Sequence, residues 1–158
     1  LKVLIPVAET VDLEQIKNII SQSPVDITLL ENQFPYSVGV SDLAIVASGT
    51  ASLQTGLALT PFIIIYQVSS LTYWIARRLA RVHHIGMVNI LAGNEIVPEL
   101  LQADFNPNRL AKEAILLLKD QERRATMIGQ LKDIRSQLGE PGAYHRVAQI
   151  LREYIQLH

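Results

Sequence analysis

The chain has 158 residues, a formal net charge of −1 and no cysteine. Its length fits one domain with a substantial core, and 49% hydrophobic against 18% charged residues is typical of a globular protein. The near-neutral charge gives no basis for nucleic-acid binding. The lack of cysteine excludes disulfides and thiolate metal sites and agrees with a cytoplasmic protein. No apolar run approaches the roughly 18 residues of a membrane span.

Strand and helix patterns alternate through the first half of the chain. An apolar run at Lys2–Val7 predicts a strand, and Asp12 is placed to cap the helix that follows. The next predicted elements are a strand at Asp26–Leu30, a short helical segment around Pro35–Val40, a strand at Leu43–Val46, a helix at Ala51–Leu59, a buried strand at Phe62–Tyr66, a helix at Ser70–Val82 and a short strand at His84–Val88.

This alternation predicts an α/β fold with a Rossmann-like parallel sheet, right-handed crossovers and flanking helices. The second half of the chain predicts a helical region. Asn106 caps one helix and Asp120 caps the next. The last helix carries an amphipathic stripe, made of Val147, Ile150, Leu151, Tyr154 and Ile155. Helices of this kind pack back on a sheet or bridge to another domain.

The segment Ala47–Leu53 is the most informative motif, because it joins a predicted strand to a predicted helix through Ser48, Gly49 and Thr50. Such a turn brings free backbone N–H groups and a helix N-terminus together, which favours a phosphate. Gln54 lies one helical turn past Thr50, so both side chains can face one ligand. The alternative is a plain turn with an N-cap and a solvent-facing Gln54.

A second polar segment, Asn89–Glu95, follows the predicted strand at His84–Val88. The amide of Asn89 can donate and accept, and Glu95 can either accept from sugar hydroxyls or cap a following helix. Because ligands of parallel sheets bind at the carboxyl ends of strands, we expect this loop to lie near Ser48.

The predicted helix at Ser70–Val82 combines one apolar face with basic residues. Arg77 and Arg81 flank Trp74, and Arg78 lies near the edge of the apolar face. Two interpretations remain open: contact with an anionic membrane surface, or a packed helix with a solvated basic edge. The four histidines form no constellation, and no nucleophile or paired-carboxylate motif is present, so the sequence predicts neither a metal site nor a catalytic base.

Three segments in order resemble the lipid-A-disaccharide synthase family: Ala47–Leu53, Leu71–Leu79 and Asn89–Gln102, supplemented by Gly139–Ala143. The resemblance implies a glycosyltransferase of the GT-B fold, in which two Rossmann-like domains face each other across a cleft. Residues 1–158 resemble a single unit, the C-terminal, UDP-sugar-binding domain. The N-terminal acceptor domain, together with the family's acid–base residue, is absent from this chain, which is expected to be inactive alone.

The resemblance further implies transfer of 2,3-diacylglucosamine from UDP to 2,3-diacylglucosamine 1-phosphate, with inversion and without a metal or cofactor. The enzymes of this family are cytoplasmic and peripheral to the inner membrane. Carried over by position, Ser48, Gly49 and Thr50 match the turn near the UDP phosphates. The second loop matches at three further residues, Asn89, Gly93 and Glu95.

The chain departs from the family pattern at four positions. Gln54 stands where the family usually has a ribose-binding Glu, and Gln67 and Asn94 each stand where it has Arg. Val88 stands where it has Pro. Two alternatives therefore remain: another GT-B enzyme, such as the peptidoglycan N-acetylglucosaminyltransferase, or a non-catalytic binding or assembly module. The last helix could serve either a homodimer or the absent domain.

Overall fold

A computed structural model of the protein describes residues 1–69, 84–140 and 142–156. The first part of the chain alternates strands and helices, and the last part is helical. In chain order the elements are β1 (Lys2–Val7), α1 (Leu13–Ile20), β2 (Asp26–Glu31), α2 (Phe34–Gly39), β3 (Ala44–Ala47), α3 (Thr50–Leu57), β4 (Phe62–Tyr66), α4 (Met87–Ala92), β5 (Glu99–Leu101), a 3-10 turn (Gln102–Asp104), α5 (Pro107–Lys119), α6 (Gln121–Gln137) and α7 (Ala143–Gln156).

The strands form two hydrogen-bonded sheets, and all pairs are parallel. One sheet has the order β1-β2 and the other the order β3-β4-β5. Residue pairs such as Lys2 with Asp26 and Ala44 with Phe62 set the register of the first two ladders. The predicted α/β class with parallel strands and flanking helices is therefore confirmed.

The core lies around β4, whose apolar run is buried on both faces. Phe62, Ile63 and Ile64 have no exposed surface. This is the pattern expected of a central parallel strand covered by helices. Side chains from the neighbouring elements complete the core, among them Val46, Val88, Val97, Leu100, Leu117, Met127, Leu131 and Ile134.

The predicted caps form as expected. Asp12 accepts the Glu14 amide at 2.9 Å, and Asp120 accepts the Arg123 amide at 2.9 Å. Asn106 likewise accepts the Arg109 amide, with Pro107 at the first helical position. Each cap satisfies an amide that the helix itself leaves without an acceptor.

Two predictions for the middle of the chain are wrong. The predicted strand at His84–Val88 is an irregular segment followed by α4, and no helix follows Glu95, because the chain enters β5 instead. The strand β5 was not predicted, since it is only three residues long and is recognised by its ladder to β4. The predicted helix at Ser70–Val82, with Trp74, Arg77, Arg78 and Arg81, lies outside the described residues.

Helix α7 exposes the stripe that its sequence predicts. Val147, Ile150 and Ile155 are between 55% and 72% exposed. Leu151 and Tyr154 are also exposed. The apolar face of α7 is therefore open to solvent, whereas α5 and α6 bury residues such as Leu117 and Leu131. Among the described residues, no helix has both the length and the apolarity needed to cross a membrane.

Candidate functional site

The turn after β3 presents unused backbone donors. Ser48 extends the ladder by donating its amide to the Ile65 carbonyl at 3.0 Å. Gly49 then takes φ 148° and caps α3, and the first helical amides, those of Thr50 and Ala51, have no acceptor within the described part of the chain. A helix N-terminus with free amides attracts an anion.

Gly49 keeps this turn open. Its φ of 148° is one that a residue with a side chain rarely adopts, and no atom lies within 4 Å of where a Cβ would stand. The space beside Gly49 is therefore clear of side chains from elsewhere in the described part of the chain. Thr50 and Gln54 are both exposed on α3, one helical turn apart, as predicted.

The Ser48 hydroxyl makes a hydrogen bond within the protein. It donates to the Ile85 carbonyl at 3.2 Å, so its single proton is engaged within the protein. Ser48 therefore joins the turn after β3 to the segment before α4. The Thr50 hydroxyl, which has no partner in the described ranges, is the side-chain donor that remains at the turn.

Asn89 lies in α4 and is completely buried. Its Nδ2 donates to the Val97 carbonyl at 2.8 Å and to Glu99 Oε1 at 2.7 Å. Its Oδ1 accepts the amides of Ile96 at 2.9 Å and Val97 at 3.0 Å. Both hydrogens and both lone pairs are thus used internally. In this structure the side chain holds the segment before β5, and its contact with a ligand stays a prediction.

Glu99 is a polar residue of this region that the sequence analysis did not single out. Its carboxylate accepts the Ile85 amide at Oε2 and the Gly86 amide at Oε1, each at 2.9 Å. These bonds, added to that from Asn89, give the carboxylate three N–H donors. The only local signal is an acidic residue opening a short apolar run, which is too common to indicate such a role.

Among the described residues, Gly93 and Glu95 take no part in the hydrogen bonds of this network. Gly93 ends α4 in the left-handed conformation with φ 72°. Glu95 is exposed and lines a cavity of about 420 Å³ with Asp120 and Glu122 from the start of α6. Residues 48–54 do not contribute to that cavity. The structure therefore groups Ser48, Gly49, Thr50 and Gln54, and places Glu95 against α6.

Comparison with known proteins identifies the family. The sequence model described as "Lipid-A-disaccharide synthetase" matches residues 1–154. This chain belongs to the lipid-A-disaccharide synthetase family. The family match includes the turn after β3, the buried Asn89 network and most of α7.

Individual lipid-A-disaccharide synthases are also similar to this chain over most of its length. The chain is 42% identical over 147 residues to the lipid-A-disaccharide synthase of Anaeromyxobacter dehalogenans strain 2CP-1, covering 92% of this chain and 38% of the relative. It is 40% identical over 155 residues to that of Myxococcus xanthus, covering 98% and 40%. It is 32% identical over 152 residues to that of Coxiella burnetii, covering 96% and 40%. The chain thus spans about two-fifths of the length of these lipid-A-disaccharide synthases.

Proposed function

We propose that this chain is the donor-binding half of an inverting, metal-independent glycosyltransferase. The enzyme transfers 2,3-diacylglucosamine from UDP to 2,3-diacylglucosamine 1-phosphate, forming the lipid A disaccharide. Membership of the lipid-A-disaccharide synthetase family supports the reaction. The observation that carries the role of this half is the open N-terminus of α3, with free amides at Thr50 and Ala51.

The α3 turn has the features that a nucleoside diphosphate requires. The amides and the positive end of the helix dipole stabilise a phosphate, and the Thr50 hydroxyl adds one donor. Gln54, one turn further along α3, is placed to accept from a ribose hydroxyl. Ser48 and Gly49 shape the turn, and the exposed Gly93 and Glu95 remain candidates for sugar recognition from the second segment, whereas Asn89 would have to exchange an internal bond to contact the sugar.

Titration of the 158-residue chain with UDP tests this proposal. Backbone amide resonances of Gly49, Thr50 and Ala51 should shift with UDP, less with UMP and not with uridine, because the free amides recognise phosphate. If UDP shifts only the resonances of residues that line the cavity beside Glu95, UDP binds next to α6 rather than at the α3 turn. Absence of any shift at millimolar UDP, in the native chain and in Gln54→Glu alike, would contradict donor binding by this half.

We also propose that a second, acceptor-binding domain precedes this one in the complete enzyme and supplies the acid–base residue. The strand order fits the nucleotide-binding sheet expected of the donor half. Doubly wound nucleotide-binding sheets run 3-2-1-4-5-6 and bind ligand where the order reverses. The observed β2-β1 and β3-β4-β5 fit that order with one central position unfilled, between β1 and β3. Helix α2 contacts β1, β2 and α3, and so links the two sheets.

Cysteine pairs in this cysteine-free chain test the unfilled position. Cysteine at position 4 or 5 in β1 is combined with cysteine at position 45 or 46 in β3. A strand-wide space separates the backbones by about 9 to 10 Å, too far for a disulfide, which needs Cα atoms within about 7 Å. Disulfide formation by any of the four pairs under mild oxidation would show that β1 and β3 are direct neighbours.

Helix α7 is proposed to pack against another protein surface, since its apolar stripe is exposed. The two candidate partners are the acceptor domain and a second copy of the chain. Light-scattering mass measurement across a concentration series distinguishes them. A mass that doubles with concentration, and returns to one chain in Ile150→Glu, supports a homodimer, whereas a constant single-chain mass leaves the acceptor domain.

The enzyme is proposed to act at the cytoplasmic face of the inner membrane, because both of its proposed substrates carry acyl chains. The sequence offers an anionic surface one aromatic residue and three positive charges, those of Trp74, Arg77, Arg78 and Arg81. Co-sedimentation with phosphatidylglycerol vesicles should fall when the three arginines are replaced by Gln. Equal co-sedimentation of both proteins would remove these arginines from the membrane contact.

A further inference from the structure

The Glu99 carboxylate is held by backbone and amide donors rather than by a cation. It accepts Ile85 N, Gly86 N and Asn89 Nδ2 at 2.7 to 2.9 Å. Within the described residues it forms no salt bridge. Hydrogen bonds to an ionised acceptor are shorter and stronger than neutral ones, so three of them fix both partners closely.

These bonds fix the segment before α4 at the two residues where its path is most constrained. Gly86 is buried, and a Cβ there would stand 2.2 Å from Ile64 Cδ1 and 3.1 Å from Glu99 Oε1. Its backbone thus lies directly on the core strand β4 and on the carboxylate. Ile85 is held by the other carboxylate oxygen, with its carbonyl facing Ser48.

A continuous chain of hydrogen bonds therefore links β5 to the turn after β3. It runs from Glu99 through the Ile85 backbone to the Ser48 hydroxyl, which donates to the Ile85 carbonyl at 3.2 Å. Ser48 directly precedes Gly49 and the free amides of α3. Apart from this hydroxyl, the turn is held by the β3–β4 ladder and by the Ser52 bonds to the Gly49 carbonyl.

We infer that Glu99 is a positioning residue for the proposed nucleotide site. It acts through Ile85 and Ser48 and sets the direction in which the Gly49–Ala51 amides point. The inference rests on the proposed donor-binding role of the turn. It assigns Glu99 no contact with the ligand, since its carboxylate is occupied by three donors of the protein itself.

The first test is a double-mutant cycle between Glu99→Gln and Ser48→Ala, read by amide resonances of the ligand-free chain. Gln keeps the size of the side chain but turns an NH₂ group toward at least one of the three donors. Glu99→Gln should shift the Gly49 and Thr50 resonances in the native background and leave them unchanged in the Ser48→Ala background. A role confined to packing would give the same shift in both backgrounds.

Glu113→Gln is the matched control, because Glu113 is also partly buried and bonds Arg123 at 3.0 Å between α5 and α6. It should leave the Gly49 and Thr50 resonances in place. If Glu99→Gln does not fold, Ser48→Ala alone decides the question. That variant should shift the amide resonance of Ala51, three residues along the chain, because the turn loses its bond to the Ile85 carbonyl, and an unmoved Ala51 would overturn the inference.

UDP affinity gives the second readout. Glu99→Gln should weaken UDP binding about tenfold in the native background and less than twofold in Ser48→Ala, since one α3 amide turned away from the phosphate loses one hydrogen bond to an ion. A native chain that binds no UDP, yet shows the coupled resonance shifts, defeats the proposed function and leaves the positioning role of Glu99. A chain that binds UDP with additive effects of the two substitutions defeats only the inference.

Discussion

Two polar segments of the molecule use their hydrogen bonds in opposite ways. Asn89 and Glu99 are buried or partly buried, and the donors of Asn89 are all used inside the protein. The turn at Ser48–Thr50 leaves the amides that open α3 without an acceptor in the described ranges. Similar residue types therefore give a structural brace in one place and a ligand-binding surface in the other.

The largest expected effect is on stability, from Asn89→Ala. Removing this amide leaves buried partners at Ile96, Val97 and Glu99 without their hydrogen bonds, which should lower the free energy of unfolding by about 3 kcal/mol. Urea denaturation measures the change. Asn108→Ala, at an exposed position in the first turn of α5, should stay within about 0.5 kcal/mol. Equal losses in the two variants would mean that the Asn89 network contributes little.

Gly86→Ala tests the backbone segment that the Glu99 carboxylate holds. The new methyl group would collide with Ile64 Cδ1, and because Ile64 is fully buried its side chain must repack against its core neighbours, so unfolding should become easier by about 2 kcal/mol. Gly129→Ala is the matched control, because nothing lies within 4 Å of its Cβ position in the middle of α6. It should gain up to about 1 kcal/mol from helix propensity. Thermal unfolding that moves in the same direction for both variants would contradict this account.

The contrast also explains how much the sequence could predict. β4 was predicted with its bounds because the apolar run Phe62–Tyr66 carries its own signal, and the helix caps at Asn106 and Asp120 are equally local. The segment at His84–Val88 is short and mostly apolar, which is compatible with a strand. It becomes a loop and a helix because Glu99, more than ten residues away, accepts the Ile85 and Gly86 amides.

The same distinction between local sequence signals and contacts with distant residues applies to the candidate site. The Ser48–Thr50 turn is a local strand–turn–helix motif, so its place at the end of β3 could be predicted from neighbouring residues. The brace could not, because it consists of side-chain bonds from Asn89 and Glu99 to backbone groups of other segments, which no local pattern indicates. Local patterns predict where donors are exposed, whereas long-range contacts decide which donors are already used.

Thr50→Pro should weaken the proposed nucleotide site at the α3 turn while the fold is kept. Proline is favoured at the first position of a helix, where its missing N–H costs no intrahelical bond. The substitution removes one free amide of α3 and should weaken UDP binding about tenfold while stability is kept. Thr50→Val removes only the hydroxyl, so its UDP affinity shows how much of the loss in Thr50→Pro is due to the hydroxyl and how much to the amide. Gln121→Pro, at the first position of α6, should leave UDP affinity unchanged; weaker binding in this control would point to a general effect of proline.

The smallest expected effect on UDP affinity comes from a change at one side chain, that of Gln54. Gln54→Glu places a carboxylate one turn past Thr50, where it would accept a ribose hydroxyl through a charge-assisted bond, roughly twice as strong as the bond of an amide. UDP affinity should rise about threefold to fivefold by calorimetry. Gln22→Glu adds the same charge on the exposed turn after α1 and should not change affinity. The decisive ligand is 2′-deoxy-UDP: a gain as large as that seen with UDP would show that the new carboxylate acts on the α3 turn rather than on the 2′-hydroxyl.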